Sequence, residues 1–364
     1  MTYAPPRPTT CLVALTLLFS LVGAACAWQS GEVGVGPDGS RAPLSPRRAT
    51  IVAEACVLGP TQLEALTQAS GIIRQVVLVC AQATDEGSLR FYGNATPQAI
   101  AEQIAQLRSI GLQPRIGLTY GAGPGMQGDP TAASARLADS AWRSAVVQQL
   151  ADLDCDGFEV ALPEIRDGSR EDLTAFVAEL SSAAPLQRAV GVFAPPSMAE
   201  PSDLPGGDAY DLAALRPHVD RIRLMTLDYS CCGAPPGPTL EPGWAAAVAR
   251  LAGSKIPETM LDVTIPLYGV HFSAAGLQYL SYPEALGLSA MHQAQIWRND
   301  SQAPYFRFND ASGAHEVWFD DRVSILSYLR SWNPPEIAEG IGIVFYGIGA
   351  EDSGLWPSLQ EGLP

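Results

Sequence analysis

From Thr50 to the C-terminus, short apolar runs alternate with segments of helical period, and this alternation limits the fold more than any other feature of the chain. Eight runs read as strands: Ile51–Leu58, Gln75–Gln82, Pro114–Thr119, Gly157–Leu162, Ala189–Ala194, Arg221–Leu227, Met260–Leu267 and Gly340–Tyr346. They are nearly continuous in apolar residues, the pattern of parallel strands covered on both faces. Helix-period segments lie between them at Pro60–Ser70, Pro97–Ile110, Ala132–Leu153, Ser169–Ala184, Asp321–Ser331 and Asp352–Leu359. Thr96 precedes the second of these as an N-cap, and Ser169 and Asp172 have the spacing of a capping box. The pattern predicts an α/β chain folded as a (β/α)8 TIM barrel, with a site at the C-terminal strand ends. An open doubly wound sheet is the alternative, but no GxGxxG or Walker loop stands at a strand–helix turn. His271–Trp318 is too long and too aromatic for a plain βα loop and reads as a small α+β insertion between strands seven and eight.

Composition narrows the class. Of 364 residues, 47% are hydrophobic and 16% charged, which supplies a large core and argues against global disorder. With 22 basic against 38 acidic side chains the net charge is −16, which disfavours nucleic acid and anionic lipid surfaces as partners. Residues 1–27 read as an export signal: one charge (Arg7), an apolar run Cys11–Ala25, and Ala25-Cys26-Ala27 as a cleavage pattern. Cys26 offers lipid attachment as an alternative, which would be the one membrane link. Residues 28–48 are rich in Gly, Pro and Ser and read as a flexible linker before a barrel spanning 49–364. The cysteines show no zinc spacing, so no metal or other cofactor is expected. Cys56 and Cys80 stand at similar depths in the first two strands, where a disulfide would link them.

Five segments in order then resemble glycoside hydrolase family 18, the chitinase-like barrels, and especially its spore-germination and cortex-lytic branch. Asp156-Gly157-Phe158-Glu159 matches the start of the family's DGxDxDxE strand. Leu224-Met225-Thr226-Leu227-Asp228-Tyr229 resembles its sixth-strand MxYDY, and Ile265-Pro266-Leu267-Tyr268-Gly269 its seventh-strand IPLYG. His315–Asp321 resembles hVWFED, and Phe345–Asp352 resembles FWxLGGED. The resemblance implies cleavage beside an N-acetylated sugar, with the substrate's acetamide oxygen as nucleophile. The enzyme then supplies a general acid and an aspartate that orients the acetamide.

The chain departs from that pattern at the acid. Laid against DxDxE, Glu159 takes the first Asp position, Ala161 the second and Pro163 the acid position. Glu164 lies one residue further on and faces outward on a regular strand, unless a bulge near Pro163 turns it inward. The resemblance therefore yields Glu164, Glu159 and Asp228 as catalytic candidates. Tyr229, Tyr346 (where the family has a tryptophan floor), Tyr120 and Trp297 are candidate substrate-binding residues. The implied partner is an N-acetylglucosamine-containing polysaccharide or oligosaccharide of the chitin or peptidoglycan type. Two functions stay open: an exported glycosidase, and a lectin-like barrel that has lost its acid.

Overall fold

Eight parallel strands close on one another through backbone hydrogen bonds. In chain order they are Ala49–Ala53, Ile73–Ala83, Gln113–Tyr120, Gly157–Val160, Ala189–Ala194, Arg221–Leu224, Leu261–Pro266 and Gly342–Tyr346, and the eighth pairs with the first. The computed structural model describes residues 49–120, 129–162, 165–184, 189–231, 234–332 and 340–361. The export signal 1–27, the linker 28–48 with Cys26, the loop Gly121–Gly125, Pro163 and Glu164 lie outside the described residues. Helices follow the strands and bury their apolar faces against the barrel's outer surface, so the (β/α)8 barrel expected from the sequence is the fold observed.

Inside the barrel, side chains two residues apart along a strand stack in layers. The lower layer is polar: Thr50, Gln75, Arg115, Glu159, Arg223 and Asp262 form one hydrogen-bonded and ion-paired cluster. Space for it comes from two glycines, because a Cβ on Gly191 would overlap the Glu159 carboxylate and one on Gly342 would overlap Asp262. The layer above is apolar, built from Val52, Val77, Val79, Ala161, Phe193 and Val344, with Met225 and Tyr346 packed on it toward the mouth.

Three local expectations are corrected. The segment Ala132–Leu153 is two helices, Pro130–Ala138 and Ser140–Ala151. Asp139 ends the first, and its carboxylate accepts from the Ala141 and Trp142 amides to cap the second. Ser169 precedes the helix Arg170–Ala183 without a side-chain cap bond. Cys56 and Cys80 are free thiols, with the Cys56 thiol donating to the Cys80 carbonyl at 3.4 Å, so no disulfide links the first two strands. Two helices outside the insertion, Leu212–Leu215 and Pro242–Gly253, had no counterpart in the sequence reading. The helix Pro242–Gly253 is apolar almost throughout, with Arg250 its one charge, although Glu241 caps it and Pro242 starts it.

Between the seventh and eighth strands lies an antiparallel sheet with the spatial order Gly276–Leu280, Gly269–Ser273, Gly313–Trp318, Pro304–Asp310, Trp297–Arg298. The helix Tyr282–Met291 packs on it around Phe306, Phe308, Val317 and Phe319.

Candidate active site at the barrel mouth

Asp228 lies four residues beyond the sixth strand, in the segment that leaves it at the mouth. Its backbone is left-handed, with φ 56°, a region that aspartate enters more readily than most side chains. Its two carboxylate oxygens take separate donors: the Tyr268 hydroxyl at 2.9 Å and the Tyr279 hydroxyl at 3.0 Å. The two tyrosine rings meet edge to face, with centroids 5.2 Å apart. Tyr268 follows the seventh strand, whereas Tyr279 comes from the inserted sheet, so the insertion supplies one wall of the aspartate's surroundings. Burial raises the Asp228 carboxyl above its ordinary range, and the two tyrosine bonds pull it back down.

A second carboxylate stands at the same mouth. Glu54 directly follows the first strand, and the alternation Thr50, Val52, Glu54 continues the inward face one layer above the apolar one. On the neighbouring strand the same alternation runs Gly342, Val344, Tyr346, with Val52 in register with Tyr346. The Tyr346 hydroxyl donates to Glu54 Oε1 at 2.5 Å. Glu54 keeps access to solvent, yet the surrounding walls raise its carboxyl pKa; the Tyr346 bond opposes that rise and the Asp228 charge adds to it. The sequence reading missed Glu54, Tyr268 and Tyr279 as site residues. The available signal for Glu54 was a lone acid inside the apolar run IVAEACVL, which reads as strand interior because the strand's true end at Ala53 is invisible there.

The other expected residues scatter. Glu159 is fully buried in the lower layer, with Oε1 2.9 Å from Arg115 Nε and 2.7 Å from Arg223 Nη2. It is therefore corrected from catalytic candidate to part of the barrel's ionic core: the apolar layer lies between it and the mouth, so it has no route to a sugar. Ala161, at the motif's second aspartate position, belongs to that apolar layer. Tyr346 is at the mouth, bonded to Glu54. Tyr229, next to Asp228 and 39% exposed, tilts against Trp244 with centroids 5.2 Å apart. Tyr120 turns to the helix layer, where it donates to Asp85 and meets Trp142 edge on at 5.9 Å. Trp297 is 53% exposed on the far edge of the inserted sheet, paired with Tyr305. Four strand spacings, about 19 Å, separate it from the strand that carries Tyr279. The structure thus brings Asp228 and Tyr346 together and leaves Glu159, Tyr120 and Trp297 elsewhere. Among the described residues no group of three His, Cys, Asp or Glu side chains is placed to hold a metal ion.

No family model matches the chain. Over 126 residues it is 31% identical to the cortical fragment-lytic enzyme of Bacillus subtilis (strain 168), a match covering 32% of this chain and 29% of that one. The matched stretch is thus less than a third of that relative's length, and the likeness is regional. Among solved structures, a class V chitinase from Pseudomonas fluorescens Pf-5 superposes with TM-score 0.73 at 22% identity, covering 89% of this chain and 100% of that one. The spore cortex-lytic enzyme of Bacillus cereus superposes with TM-score 0.72 at 20% identity, covering 87% and 75%. At such identities these structures establish the fold. Taken with the regional sequence match, they show a (β/α)8 barrel similar in fold to chitinases and to spore cortex-lytic enzymes.

Proposed function

We propose that the chain is an exported glycosidase that hydrolyses the bond beside an N-acetylglucosamine unit in a polysaccharide of the peptidoglycan or chitin type. The observation that carries this reading is the Asp228 carboxylate, held at the mouth by two tyrosine hydroxyls on a left-handed backbone. Such a fixed acceptor suits the N–H of a sugar acetamide and the positive charge that develops when the acetamide oxygen attacks the anomeric carbon. Tyr346 gives the reactive sugar an aromatic face, and Tyr229 extends the aromatic rim beside Asp228. The proton donor must be a second carboxyl, and Glu164, one residue beyond the motif's acid position, is the nearest that the fourth-strand sequence offers. The reading of residues 1–27 as an export signal, with or without lipid at Cys26, agrees with a substrate outside the cytoplasm.

The test is turnover of chitooligosaccharides and peptidoglycan fragments by purified protein beside Asp228→Asn. The substitution is expected to lower kcat roughly 10²-fold or more while the fold persists. A specific reason favours a second reading, a lectin-like barrel: Ala161 and Pro163 occupy two of the three carboxylate positions of the motif. Saturable binding of the same oligosaccharides with no turnover would select it.

A further inference from the structure

Acid catalysis at this mouth needs a carboxyl that reaches the leaving oxygen, and the inward alternation of each strand shows where one can stand. On the fourth strand the inward positions run Glu159 in the ionic layer and Ala161 in the apolar layer, and the sequence position two further on is Pro163, a residue with no proton to give. On the first strand the same three layers run Thr50, Val52, Glu54. The first strand thus carries a carboxyl into the mouth layer, directly above the apolar one.

We propose that Glu54 is the catalytic acid of this barrel, working as a pair with Asp228. The proposal rests on the glycosidase reading above and names a residue for its proton donor. Tyr346 fixes one oxygen of Glu54, at 2.5 Å, and leaves Oε2 for the substrate. The titratable groups that face Glu54 are Tyr346, Asp228, Tyr279 and Tyr92. The Asp228 charge and the enclosing walls favour the protonated form of Glu54, which an acid requires.

In the first step the bond from the anomeric carbon to the glycosidic oxygen breaks. Its electron pair stays on that oxygen, which takes the Glu54 proton and leaves as an alcohol. The acetamide oxygen bonds to the anomeric carbon, and the positive charge of the resulting ring is balanced by Asp228. In the second step water adds to the anomeric carbon, the acetamide oxygen departs with its electron pair, and the water's proton returns to Glu54. The sum is hydrolysis, with both carboxyl groups restored.

The experiment compares wild type, Glu54→Gln, Glu164→Gln and Tyr346→Phe on a chitooligosaccharide and on an N-acetylglucosaminide with an acidic phenol as leaving group. Glu54→Gln keeps an oxygen that can accept from Tyr346, and matching thermal unfolding of the variants checks the fold. Glu54→Gln is expected to lower kcat on the oligosaccharide roughly 10²–10⁴-fold. It should spare kcat/KM on the phenol substrate, whose leaving group needs little acid in the first step, and abolish the fall of that activity at high pH. Tyr346→Phe, which removes the bond to the Glu54 carboxylate, is expected to move that high-pH fall upward. If wild type turns over both substrates and Glu164→Gln gives the acid signature while Glu54→Gln does not, Glu54 is overturned and the glycosidase reading stands. If wild type binds oligosaccharide and cleaves neither substrate, both fall together.

Discussion

At the scale of single residues, the proposed chemistry at the mouth and stability in the barrel are divided between carboxylates that look alike in the sequence. Glu159 and Glu54 each stand in an apolar run and face inward, but their depth along the barrel axis puts one in a closed ionic layer and the other at the solvent-open mouth. Glu159 accepts from Arg223 and lies against Arg115, so neutralising it leaves two buried guanidinium groups short of charge. Glu159→Gln is therefore expected to destabilise the fold by about 3–5 kcal/mol, seen in denaturant unfolding. The kcat of the remaining folded protein should be unchanged; a loss of kcat at full stability would contradict a purely structural Glu159. Asp228 was legible in the sequence because it closes a motif, but its two tyrosine partners were not: Tyr279 lies 51 residues away and reaches it only through the inserted sheet.

At the scale of elements, the sequence carried strand and helix identity well and their ends poorly. The strand at Ala189–Ala194 agrees at both ends, because charge and proline bracket it. The first and sixth strands stop at Ala53 and Leu224, well short of their apolar runs, because hydrophobicity continues into segments that turn over the mouth. Asp139 shows the same limit in the helices: one capping side chain splits a period that otherwise runs unbroken. The segment entering the helix Arg322–Ser331 holds a further consequence. Asp320 is fully buried and accepts hydroxyl bonds from Thr239, Ser324 and Tyr328 at 2.7–2.8 Å, and burial raises its pKa from 3.8 to about 6. A carboxyl raised in the folded state holds its proton where the unfolded chain has lost it. Stability should therefore fall as pH rises from about 4 to about 6, by on the order of 2–3 kcal/mol. Asp320→Asn should flatten that part of the curve; equal slopes for wild type and variant would exclude Asp320 as the cause.

At the scale of the whole molecule, the barrel followed from near-continuous apolar strands alternating with helices, a pattern that survives errors at individual ends. Its interior did not follow: Glu159 and Ala161 share one strand yet fall in opposite kinds of layer, and only the closed barrel shows which neighbours fill each. The mouth is where first strand, sixth strand, eighth strand and inserted sheet converge, bringing Glu54, Asp228, Tyr346 and Tyr279 together from distant parts of the chain. That convergence supports substrate-assisted hydrolysis, whose stereochemistry is fixed by the acetamide shielding one face of the anomeric carbon while water enters from the other. The most direct measurement is time-resolved proton NMR of the anomeric signals as purified protein cleaves a chitooligosaccharide. The first product is predicted to carry the β configuration of the substrate, relaxing later to the anomeric equilibrium. An α product formed first, or bound oligosaccharide left uncleaved, would contradict it.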